Sequence, residues 1–308
     1  MRHTLLLACA LAWSAPALAA DPPAPPNRFA ASIVPAERFE AGALLVERHG
    51  KEGRPLVLIP GLASGSWVWQ GLVREFSGDH VLYVVTLPGF DGRAPVEGNM
   101  LEAARRSLAA LIAERKLDKP VLVGHSLGGT LAFALAQDLP AAVGGVVAID
   151  GLPVFPGTED MAPAERAQAA EEVRAAIAAA PPDAYARQQQ QYMRGTGVVD
   201  MGKADDLAKL AARSDQAAVG QYTAEALALD LRPGLPKISA PVLLVSPYFA
   251  PDASQHGLTA PMKDDYYRSL LAGTPRAEVV SLSPARHFVM FDQPRALADT
   301  IRRYLAKL

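Results

Sequence analysis

Pro120-Val121-Leu122-Val123-Gly124-His125-Ser126-Leu127-Gly128-Gly129-Thr130-Leu131-Ala132 carries the reading of the chain. An apolar β-branched run enters a short Gly-His-Ser-Leu-Gly turn and leaves directly as a helix-forming segment. The spacing has a steric reason. A strand and a helix can cross this closely only where side chains are missing, so Gly124 and Gly128 leave room while Ser126 stands at the apex. Its hydroxyl then lies at the positive end of a helix, with the Leu127 N–H aimed at any negative charge that develops there.

Outward from this stretch, short β-branched runs alternate with helical patterns. Ala43–Glu47, Pro55–Ile59, Val81–Thr86, Pro120–Val123, Gly145–Ile149, Pro241–Ser246 and Ala277–Leu282 read as strands. Met100–Arg115, Gly129–Gln137 and Gln293–Leu308 read as amphipathic helices. Such alternation predicts an α/β fold, a mostly parallel central sheet flanked by helices. It breaks between residues 152 and 237, where Ala, Gln, Glu and Arg dominate in Pro163–Ala180, Tyr185–Met193 and Ala204–Ala212, so a helical cap is expected there. The core is then 37–151 and 238–308.

The first residues have the three parts of a secretory signal: Arg2 and His3, an apolar run from Leu5 to Trp13, and Ala17-Leu18-Ala19. Residues 1–19 are expected to be a signal peptide, and 20–36 a Pro-rich exposed leader, of a periplasmic or secreted protein. Cys9 is the single cysteine, so the processed chain has no thiol, which excludes disulfides, a cysteine nucleophile and thiolate metal sites. With 308 residues, half of them hydrophobic, and a formal charge of −2, the chain has a large core and no basic footprint for nucleic acid. No integral membrane segment is expected after the signal. Neither a cofactor nor a metal is implied, since His-x-x-x-His and His-Glu-x-x-His spacings are absent.

A serine hydroxyl needs a base. Of six histidines, His3 leaves with the signal, His49 and His80 fall where turns are expected, His125 sits inside the Ser126 turn, and His256 lies in a polar loop. His287, after a strand and ahead of the last helix, is the candidate. A second donor for an oxyanion is expected after an earlier strand, where Gly61 lets the backbone bend and presents the Leu62 N–H beside that of Leu127.

Together these residues resemble the α/β-hydrolase superfamily from Ala41 to Leu308, the cap excepted. The resemblance implies Ser126 as nucleophile, His287 in Ala285-Arg286-His287-Phe288 as base, and Leu62 and Leu127 as oxyanion donors. Arg286 departs from the Gly usual before that His. Most relatives place the acid after the penultimate strand, which favours Asp252; a minority place it one strand earlier, where Asp150 ends Val146–Ile149. Trp67, Trp69, Tyr192, Tyr222, Tyr248 and Phe288 are candidates to line a pocket, and Asp264 and Asp265 read as solvated helix charges.

The implied function is exported serine hydrolysis of a small-molecule carboxylic ester through an acyl-enzyme. A serine peptidase or amidase, a lactonase, and a non-catalytic binding protein of the same fold are the alternatives. Serine at the elbow argues against the dehalogenases and epoxide hydrolases, which share the fold but use Asp.

Overall fold

In a computed structural model the described residues are 26–308. The signal peptide, its cleavage site and Cys9 lie outside them. The strands are β1 (Glu37–Ala41), β2 (Leu44–His49), β3 (Pro55–Ile59), β4 (Val81–Thr86), β5 (Val121–His125), β6 (Gly145–Ile149), β7 (Val242–Pro247) and β8 (Ala277–Leu282). They form one sheet in the order β1-β2-β4-β3-β5-β6-β7-β8. β1 and β2 pair antiparallel, β2 is antiparallel to β4, and every remaining pairing is parallel.

The helices are α1 (Gln70–Phe76), α2 (Met100–Glu114), α3 (Leu127–Asp138), α4 (Pro163–Ala179), α5 (Pro182–Tyr192), α6 (Met201–Ala211), α7 (Gln216–Ala228), α8 (Ala250–Ala253), α9 (Ala260–Leu270), α10 (Val289–Asp292) and α11 (Pro294–Leu305). α1 packs on α11, and α2 packs on α3. Every residue of β5, β6 and β7 is buried, as a parallel sheet covered on both faces requires. β8 is the exposed edge. No described helix is long and apolar enough to cross a membrane.

Two sequence expectations change. β1 was not among the expected strands, because its charged residues alternate with Phe39 and Ala41 on an edge. His49 is not in a turn; it is the buried last residue of β2. The leader also makes contacts of its own. The Ser32 and Ile33 N–H groups donate to the Gln70 side chain, and Phe29 packs edge-on against Phe291 at 5.3 Å.

α4 to α7 occupy the segment between β6 and β7. Within it α4 packs along α7 and α5 along α6. Its base is closed by a bridge between Val154 and Asp230 and by the buried Arg166, whose guanidinium stands 3.2 Å from Asp230.

Candidate active site

The carboxyl ends of the parallel strands carry the chemistry-bearing residues, as is general for sheets of this type. Ser126 follows β5 directly and begins α3 with φ 52° and ψ −120°, a left-handed conformation that a residue with a side chain adopts only under constraint. The constraint is visible. A Cβ on Gly124 would collide with the Gly128 carbonyl, and one on Gly128 with the Ile59 carbonyl. The Ser126 N–H continues the sheet by donating to Ile149 O at 2.9 Å.

Asp150 follows β6, also at positive φ, and its N–H donates to Val245 O at 2.9 Å. Its side chain meets the β8–α10 loop: His287 Nδ1 lies 2.6 Å from Asp150 Oδ2, with both side chains largely buried. Tyr267 on α9 donates its hydroxyl to Asp150 Oδ1 at 2.5 Å. Burial alone would raise the Asp150 pKa, but the His287 bond and charge, Lys263 and the Tyr267 hydroxyl outweigh it and hold the carboxyl down at about 2. The Asp150 carboxyl is therefore ionised at neutral pH and holds the His287 proton on Nδ1, leaving Nε2 free as an acceptor.

Asp252, the favoured acid in the sequence, is placed elsewhere. Arg286 Nε and Nη2 donate to its two oxygens at 2.7 and 2.8 Å, a bidentate pair that occupies the carboxylate. The residue that departs from the usual Gly is thus the one that engages Asp252. Asp150, the alternative, is the carboxylate on His287.

The His287 loop is held from the helical segment. The His287 and Phe288 N–H groups donate to Thr196 O and Gly197 O at 3.2 and 2.9 Å, in the π-helical turn Met193–Gly197 that ends α5. Arg286 Nη1 donates to Arg194 O and Val198 O, and Asp292 accepts from the Arg286 and Val199 N–H groups. From below, His125 stands 3.1 Å through Nε2 from the His287 carbonyl, which makes Nε2 its protonated nitrogen. Burial and the neighbouring His287 hold the His125 pKa well below the ordinary value, so it is a neutral support and not a base.

Ser126, His287, Leu62 and Leu127 line a single cavity of about 430 Å³. This is within the size range of small-molecule sites. The Leu127 N–H belongs to the first turn of α3 and has no acceptor within the helix. No hydrogen bond joins Ser126 Oγ to His287 among the described residues; such contacts commonly tighten once substrate is bound.

The rest of the wall comes largely from the inserted helices. Ile177 of α4, Tyr185, Gln188, Gln189 and Tyr192 of α5, and Val219, Tyr222, Thr223 and Ala226 of α7 face it. Of the aromatics considered from sequence, Tyr192, Tyr222 and Phe288 line this cavity, and Tyr248 lines a neighbouring cleft behind His287. Trp67 and Trp69 are buried in the core. Asp265 is an exposed helix charge paired with Arg268. Among the described residues no group of three or more His, Cys, Asp or Glu side chains is arranged to hold a metal ion.

Tyr267, Gln188, Gln189 and Ile177 were not reached from sequence. Helical periodicity marks which face of a helix is apolar, not whether that face meets a core or a cavity.

Strand order, the strained serine turn and the imidazole on a carboxylate define an α/β hydrolase architecture with a serine at the elbow. The chain belongs to the alpha/beta hydrolase family, whose profile matches residues 56–300. It is 32% identical over 104 residues to pimeloyl-[acyl-carrier protein] methyl ester esterase of Vibrio parahaemolyticus, covering 34% of this chain and 39% of that protein. It is 32% identical over 120 residues to 2-succinyl-6-hydroxy-2,4-cyclohexadiene-1-carboxylate synthase of Escherichia coli, covering 39% and 47%. The chain thus spans less than half the length of these relatives. A thermophilic esterase from Thermogutta terrifontis shares the fold with a TM-score of 0.68 at 23% identity, over 88% of this chain and 99% of that one. The enol-lactonase of Burkholderia xenovorans LB400 does so at 0.66 and 19% identity, over 85% and 96%.

Proposed function

We propose that the protein hydrolyses uncharged carboxylic esters through an acyl-enzyme on Ser126, with His287 as general base and Asp150 as the acid that orients it. The observation that carries the reading is the 2.6 Å bond from His287 Nδ1 to a buried, ionised Asp150, at the wall of the cavity that Ser126 also lines. His287 takes the Ser126 proton as the hydroxyl attacks the ester carbonyl, and the Leu62 and Leu127 N–H groups receive the oxyanion. The imidazolium then gives the proton to the departing alkoxide, and a water activated by the same base releases the acid. One well-aimed oxyanion donor contributes about 3 to 4 kcal/mol to the barrier.

The cavity wall argues for a neutral substrate. Its described lining holds no Lys or Arg and a single carboxylate, Asp150, which is bonded to His287, and apolar side chains dominate the remainder. A substrate carboxylate or phosphate entering it would leave its hydration without gaining a cation. The methyl ester esterase among the relatives agrees with ester cleavage. The inserted helices act as a cap that sets substrate size.

Export is part of the same proposal. The Arg2-to-Ala19 pattern supports it, and N-terminal sequencing of the protein from a periplasmic or culture fraction is expected to begin at Ala20 or Asp21.

A p-nitrophenyl ester series from acetate to palmitate tests the chemistry, together with a fluorophosphonate probe. Wild type is expected to turn over and to be labelled on Ser126, and Ser126→Ala to lose as much as ~10⁶ in turnover. A wild type that neither turns over any ester nor takes the label overturns the reading.

A further inference from the structure

We infer that Tyr267 is a positioning residue for this chemistry: its hydroxyl, carried on α9, is the second anchor of the acid Asp150 and sets the basicity of His287 through it. The inference rests on the serine-hydrolase reading above.

A buried carboxylate needs donors for both oxygens. Among the described residues, the donors to the Asp150 side chain are His287 on Oδ2 and Tyr267 on Oδ1, at 2.6 and 2.5 Å. The backbone N–H of Asp150 is taken by Val245. Nothing in the β6 loop itself therefore orients the carboxylate. It is held between the base on one side and a phenol on the other. Were Tyr267 only a buried aromatic in need of any acceptor, a backbone carbonyl would serve; here it meets the one carboxylate that touches the base.

The phenol is itself held. Lys263 lies one helical turn earlier on the same face of α9, with its ammonium 5.1 Å from the Tyr267 ring centroid. That ammonium donates to Pro247 O at 2.5 Å, which ties α9 to the end of β7. Tyr267 is 6% exposed, so bulk water does not compete for its hydroxyl. Burial, the Asp150 charge and the bond to Asp150 keep the phenol protonated, so it stays a donor.

Every group that faces Asp150 bears on the sign of the effect. His287 comes from the β8–α10 loop, Tyr267 and Lys263 from α9, His125 from β5, and Tyr192 from α5. His125 is neutral and Tyr192 keeps its proton, so Lys263 and the Tyr267 hydroxyl are what temper the carboxylate apart from His287. Removing the hydroxyl concentrates the negative charge on the imidazole. The imidazolium is then better stabilised and the base titrates at higher pH.

The experiment is the pH profile of kcat/KM for a p-nitrophenyl ester with wild type, Tyr267→Phe, and protein carrying 3-fluorotyrosine at position 267. Tyr267→Phe is expected to lower kcat on the order of tenfold with KM little changed. It should also move the acidic limb upward by about 0.5 to 1 pH unit. Fluorotyrosine, a stronger donor, should move the limb the other way. The far-downfield proton resonance of His287 Nδ1–H should respond in both proteins and needs no substrate. A fall in kcat with limb and resonance unmoved would assign Tyr267 to packing alone and overturn the inference, as would an unchanged profile. Failure of the underlying reading is a separate outcome, seen as a wild type that is neither active nor labelled by the serine probe.

Discussion

Two carboxylates follow neighbouring strands, β6 and β7, at the carboxyl end of the sheet. Asp150 follows β6, is buried, and is bonded to the imidazole. Asp252 follows β7 in α8, is 43% exposed, and is bonded to the guanidinium of Arg286. The first carboxylate meets a titrating partner in a dry setting, where a hydrogen bond can direct a proton. The second meets a permanent cation near solvent, where the pair can tether a loop but contributes little by charge. Both carboxylates and His287 line one cleft. What separates them is the side chain that each finds there.

The largest effect expected of this contrast is on turnover. Asp150→Asn keeps the shape but offers an amide to the imidazole and favours the wrong tautomer, so kcat should fall by about 10⁴ on a p-nitrophenyl ester. Asp252→Asn in the same assay should be nearly silent. A reversed outcome would return the acid to the β7 loop, against the bond observed at Asp150.

Next in size is the pH dependence of stability. The Asp150 carboxyl titrates at about 2 in the fold, below its ordinary 3.8, with the His287 bond chief among the opposing causes that overcome burial. A depressed carboxyl stabilises the fold above its unfolded value, and that contribution is lost as pH falls through the folded one. Between about pH 5 and 2, wild type should thus lose on the order of 2 kcal/mol that Asp150→Asn does not lose. Denaturant titrations at a series of acidic pH values measure the slope. Equal slopes in wild type and Asp150→Asn would mean that the carboxylate is not held as described.

The same contrast explains what the sequence revealed. The serine turn was legible because its constraints are local: Gly124, Gly128 and Ser126 must be what they are within a few residues. That His287 would meet one of the two carboxylates was an expectation from chain order, since it alone of the histidines follows the last strand and precedes the last helix. Which carboxylate meets His287 was not legible, because the partners of Asp150 and Asp252 are supplied by residues far along the chain. Tyr267 reaches Asp150 across 117 positions, and Arg286 reaches Asp252 across 34. The parallel order of the sheet followed from alternation. β1 did not, because its pairing with β2 compensates for a charged edge sequence. Of the cavity wall on α5 and α7 only the aromatics Tyr192 and Tyr222 were reached; for Gln188, Gln189 and the rest, only tertiary packing decides which side of those helices looks inward.

A smaller effect is expected at Arg286. Its guanidinium joins the His287 loop to Asp252, to the Arg194 and Val198 carbonyls and to the Phe249 ring, which it overlies at 4.9 Å. Arg286→Met keeps the apolar stem and frees the loop. Since small misplacements of a base are felt in turnover, kcat should fall by about tenfold, with the acidic limb of the pH profile unmoved. That unmoved limb distinguishes a tether from Tyr267, which acts on the charge of the acid.

The smallest effect belongs to Asp252 alone, and it is informative for that reason. In Asp252→Asn, Arg286 keeps its two backbone carbonyl partners and Asp292 still accepts the Arg286 N–H. The ion pair, exposed on its Asp252 side, contributes on the order of 1 kcal/mol and is partly screened by salt. Turnover should therefore stay within about threefold of wild type, and the small difference should shrink as ionic strength rises. A loss that persists in high salt would mean that the Asp252–Arg286 pair sets the geometry of His287 through its hydrogen bonds. The two carboxylates would then differ in degree, both acting on the same imidazole, one directly and one through the residue before it.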